Sequence, residues 1–105
     1  MKEIKKKISV EIEGVTYIPT FNFNSMSKFG ELYGLTINDF SKLSEPSLSQ
    51  LITLAFLGIQ EYCRINKMEL PFDRYKLGEL PTEKIRLLIQ SISVNMMSFT
   101  KPERT

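Results

Sequence analysis

The chain has 105 residues, 42% hydrophobic and 25% charged, which fits one ordinary globular domain and excludes a disordered or low-complexity segment. Fourteen basic and twelve acidic residues leave a net charge of +2; neither half is strongly basic, so the electrostatic footprint of a nucleic-acid-binding domain is missing. There is no histidine, one cysteine (Cys63) and no apolar run near the ~20 residues of a membrane span, which removes the usual catalytic triads, most transition-metal sites and any intramolecular disulfide.

Residues 7–20 predict a β-hairpin. Ile8, Val10 and Ile12 alternate with Ser9, Glu11 and Glu13, the period of a strand with one buried face. Glu13-Gly14 supplies a two-residue turn, which sets Ile12 opposite Val15 and Val10 opposite Tyr17, all on one face. Pro19 limits the second strand. Lys2, Lys5, Lys6 and Lys7 before the hairpin read either as guards of an exposed edge or as a phosphate-contacting arm. Phe21 and Phe23 alternate with Asn22 as in a strand end, after which Asn24 or Ser25 caps a helix over about 25–33 with Met26, Phe29, Leu32 and Tyr33 on one side. Gly34 stands where a left-handed C-cap belongs. Thr36 then opens a helix over 37–43.

Ser47 and Gln50 form a capping-box pair at the head of a helix over 47–66. Its main stripe is Leu48, Leu51, Ile52, Ala55, Phe56, Ile59, Tyr62 and Cys63, while Leu54, Leu57 and Ile65 lie outside it. A helix apolar around much of its girth is a central one. Gly58 in its interior is explained if a neighbouring backbone comes close. A short helix over 72–77 follows, stopped by Gly78. A last helix over 82–99 begins at Pro81-Thr82 and carries Ile85, Leu88, Ile89, Ile92, Met96 and Phe99 at helical spacing. Residues 101–105 read as a frayed tail. The expected fold is therefore α+β and mostly α: one domain over 1–105, an N-terminal β-hairpin packed on four to five helices.

No residue set points to catalysis, a cofactor or a metal. Cys63 lies on a core stripe and reads as a small buried hydrophobe. Glu11 and Glu13 share a solvated strand face, and Gly30 and Gly34 are not in a phosphate-binding order. What remains is binding. Leu87, Val94 and Met97 form a second stripe on the last helix, nearly opposite the main one, which either is sandwiched within the domain or meets a partner. For Leu54 and Leu57 the same choice stands between core and partner surface. A short helix-turn-helix around Gly34 to Thr36 is the alternative, a small DNA-binding regulator. Its recognition helix 37–43 carries Lys42 as sole basic group beside Asp39, a poor match to phosphates.

Phe21-Asn22-Phe23-Asn24, with Gly34, Thr36 and Ile37, the 48–59 helix and Leu70-Pro71-Phe72, resembles in order and spacing the tail assembly chaperones of long-tailed bacteriophages and prophages. The resemblance spans most of residues 8–99. It departs from the family where paired acidic residues often precede the glycine, since Glu31 stands alone, and in lacking an acidic balance. It implies a non-enzymatic chaperone of virion morphogenesis in the bacterial host cytoplasm. Such a protein binds the tape-measure protein, promotes tail-tube protein assembly and forms homo-oligomers, with no membrane and no nucleic acid as partner.

Overall fold

The computed structural model describes residues 7–36, 39 and 46–97. Among them the chain forms an antiparallel hairpin, β1 (Val10–Ile12) and β2 (Val15–Tyr17), then four helices: α1 (Phe23–Tyr33), α2 (Leu48–Ile65), α3 (Arg74–Gly78) and α4 (Thr82–Asn95). The fold is α+β, with the helices dominant.

The hairpin register is the one expected, Val10 opposite Tyr17 and Ile12 opposite Val15. Glu13 and Gly14 both take positive φ, 52° and 83°, as a tight hairpin turn matched to strand twist requires. Val10, Ile12 and Tyr17 are buried; Val15 is exposed and so departs from the shared buried face. The Tyr17 ring meets Tyr62 and Phe72 edge-on, with centroids 6.3 and 5.7 Å away.

The strand expected at Phe21 to Phe23 is not one, and α1 starts two residues earlier than its polar signals suggest. Asn22 is the N-cap: its side chain accepts from the Ser25 amide at 3.1 Å, and the Ser25 hydroxyl accepts from the Asn22 amide at 3.0 Å. This reciprocal pair satisfies two donors that a helix start leaves open. Phe21 consequently enters the core and Phe23 points outward. Gly34 closes α1 in the left-handed conformation. Thr36 and Asp39 are linked in both directions: the Asp39 amide donates to the Thr36 carbonyl, and Asp39 Oδ2 accepts from the Thr36 amide and hydroxyl at 2.8 and 3.1 Å. The helix expected over 37–43 lies outside the described residues, as do most of the basic cluster before the hairpin and the tail at 101–105.

α2 is the axis of the domain. Ser47 and Gln50 make their capping box, and every residue from Thr53 to Ile59 except Phe56 is buried. α1, α3, α4 and β2 all pack on it. The close approach at Gly58 is to residues 19–21. The Thr20 amide donates to the Gly58 carbonyl at 2.9 Å, and a Cβ at Gly58 would fall 2.8 Å from the Phe21 ring and 3.1 Å from Pro19. α3 begins at Arg74 because Asp73 caps it, accepting from the Tyr75 and Lys76 amides; Gly78 is its last residue rather than a stop before it. α4 follows Pro81 and ends, as a described helix, at Asn95.

One polar residue ties the two ends of this arrangement together. Asn95, buried at the end of α4, accepts from the Ile8 amide at 2.8 Å and donates to the Ile8 and Pro19 carbonyls at 3.0 and 2.9 Å. It acts as a substitute strand partner for the segment leading into β1 and holds the exit of β2 in the same grip.

Candidate functional site

The expected partner stripe on α4 is a shoulder rather than a ridge. Glu83, Arg86, Gln90 and Ser93 form the outward face of α4, a polar line at helical spacing. Leu87 and Val94 flank it half-buried, Leu87 packing against the core, and Met97 is 38% exposed beyond the end of the helix. Leu54 and Leu57 are core residues, 4% and 5% exposed. Their assignment to a partner surface is corrected: α2 is surrounded, so the positions outside its main stripe are covered by its own neighbours. The more exposed apolar side chains are elsewhere, chiefly Leu48 at the head of α2 and Tyr75 on α3, 73% and 72% exposed, with Phe23, Leu32 and Ile65.

Leu48 and Tyr75 line an open groove of about 380 Å³ between the first turns of α2 and the short α3, completed by Ser49, Ile52, Arg74 and Glu79. Leu48 belongs to the main stripe of α2, but in the first turn that stripe runs past the packed region. The groove is positioned by a hydrogen-bonded web across three helices. Arg74 Nε donates to Thr53 Oγ1 at 2.6 Å, and its Nη2 donates to the Ser49 carbonyl and hydroxyl at 3.1 and 2.8 Å. The Tyr33 hydroxyl meets Thr53 Oγ1 at 3.0 Å, so α1 is bound into the same web. Burial pushes the Tyr33 phenol up, but its hydrogen bonds with Ser49 and Thr53 and the nearby Arg74 charge outweigh this and hold it below its ordinary value.

The opposite end of α2 is closed. Glu61 is buried, yet every bond it needs is supplied. Arg64 donates to both carboxylate oxygens at 2.9 and 2.7 Å, and the side-chain amides of Asn22 and Asn24 donate to Oε2 at 2.8 and 3.2 Å. The Arg64 hydrogen bonds, reinforced by those from Asn22 and Asn24, overcome burial and bring the carboxyl down to about 2. This carboxylate is a structural anchor for the start of α1 and has no open side from which to work on a substrate.

Cys63 is buried, and burial raises its thiol pKa, the opposite of what a nucleophile needs. Among the described residues no three His, Cys, Asp or Glu side chains stand together as a metal site, and no helix is long and apolar enough to cross a membrane. The candidate recognition helix at 37–43 falls outside the described residues. The groove escaped sequence reasoning because Arg74 and Tyr75 follow a capping residue in a five-residue helix, too short to show a period. Their one signal is a cation and an aromatic side by side beyond a cap. The chain matches no known family model, no curated protein and no solved structure.

Proposed function

We propose that this protein is a non-enzymatic assembly chaperone that shelters an apolar helix of another protein in the groove between α2 and α3. The observation that carries the reading is the pairing of Leu48 and Tyr75, both more than two-thirds exposed, on the wall of one concavity. Large apolar side chains beside a preformed recess, fixed by a polar web, are the ordinary build of a recognition surface. A helix laid into it would bury its own stripe against them.

The resemblance of residues 8–99 to phage tail assembly chaperones supports a particular client, the tape-measure protein. On this reading the protein keeps that long helix from aggregating until tail-tube protein assembles around it. Several copies line one client, so modest single contacts sum by avidity and remain displaceable. Co-expression with the tape-measure protein of the same genome tests the proposal. The expected result is a soluble complex, lost in the Leu48→Ser/Tyr75→Ser variant while the melting temperature of the free chain stays within a degree or two, roughly ±0.5 kcal/mol. Salt-sensitive binding to duplex DNA with no complex formed would instead support the regulator reading.

A further inference from the structure

The helix-binding reading leaves one feature of the groove unexplained, the charge on Arg74. Its three hydrogen bonds go to neutral oxygens of Thr53 and Ser49. No carboxylate among the described residues forms an ion pair with it, and these three bonds leave from Nε and Nη2, with the Tyr33 phenol close by. Glu79, the acidic residue of the groove lining, makes no ion pair with it either. Arg64 at the other end of α2 shows the contrast, its guanidinium matched on two atoms by Glu61. Arg74 is thus held in place through Nε and Nη2 while its charge meets no carboxylate among the described residues. The flexibility that an arginine must lose on binding is already lost.

From this, and resting on the helix-binding reading, we infer that the groove selects a partner helix with a single Asp or Glu set among large aliphatic side chains. The carboxylate meets the Nη1 side of Arg74, while the aliphatic neighbours one turn away pack on Leu48, Ile52 and the Tyr75 ring. The lining argues for one acid and against a run of them, since Glu79 opposes a second negative charge. It also argues against a phosphate, which needs more cationic donors than one guanidinium facing a carboxylate and two apolar walls.

The test titrates the full chain with three synthetic amphipathic helical peptides that differ only at one position within a leucine stripe, bearing Glu, Gln or Lys. The Glu peptide is expected to bind about 10-fold tighter than the Gln peptide, the margin of a charge-assisted hydrogen-bonded pair. The Lys peptide binds weakest, and the spread narrows as salt rises. Arg74→Gln makes the Glu and Gln peptides equivalent. Arg74→Lys keeps only part of the preference, because an ammonium cannot present the fork. The peptide exchange is read on the unaltered protein and so does not depend on how a variant folds. Equal affinity for all three peptides, still destroyed by Leu48→Ser/Tyr75→Ser, overturns the inference and leaves helix binding standing. No binding by any of them overturns both. Self-association abolished by Arg74→Gln, without peptide binding, assigns the groove to a second copy and likewise overturns the inference.

Discussion

The two ends of α2 solve the same problem in opposite ways. Each brings an arginine to the junction with a neighbouring helix. At the C-terminal end Arg64 meets a buried carboxylate that also gathers Asn22 and Asn24, so charge, acceptors and donors are matched inside the chain. At the N-terminal end Arg74 is held by neutral oxygens next to two exposed apolar side chains. Closure at one end fixes the fold; the other end is where the proposed partner would supply the missing carboxylate.

The comparison is sharpened by changes whose effects should fall from the closed part of the molecule to the open one. Asn95→Leu should have the largest effect, about 2–4 kcal/mol of stability in chemical denaturation, because it strands the Ile8 amide and the Ile8 and Pro19 carbonyls. Acid comes next. The Glu61 carboxyl titrates near 2 in the fold against an ordinary value of 4.5, so its contribution is fully present above about pH 4.5 and is lost as pH falls through 2. At neutral pH it amounts to about 3 kcal/mol. In Glu61→Gln the denaturation midpoint should fall at pH 7 and lose this part of its acid sensitivity. Gly58→Ala should cost about 1–2 kcal/mol despite the better helix propensity of alanine, since the new methyl meets Phe21 and Pro19. A thermal melt unchanged or raised would show that residues 19–21 yield easily. Leu48→Ser/Tyr75→Ser should scarcely move the melt; a loss comparable to Asn95→Leu would mean that the open end is core after all, and the contrast would collapse.

Much of the fold was legible because its signals are local. The Ser47–Gln50 capping box, the Glu13-Gly14 turn with its register, and the central place of a helix apolar around much of its girth each follow from neighbouring residues. Gly58 announced a close approach without naming what approaches. The start of α1 was misjudged for a physical reason. Phe21-Asn22-Phe23 has the alternation of a strand, and the partner that holds Asn22 as a cap is Glu61, 39 residues away. The open end was hidden for the same reason, since Arg74 takes its meaning from Thr53 and Ser49, 21 and 25 residues earlier. The second stripe of α4 misled because helical spacing gives a side chain's direction and not what covers it. Leu87 and Val94 sit on the shoulders of a helix whose crest is polar.

Asn95 also sets when the domain can be finished. Its partners Ile8 and Pro19 lie 87 and 76 positions upstream, so a ribosome that has made the hairpin and α1 to α3 still holds a nascent chain with the segment around Ile8 unfastened. Non-local closure of this kind is slow relative to helix formation. α4 is therefore the latch, and pausing synthesis just before it should yield a helical but protease-sensitive chain.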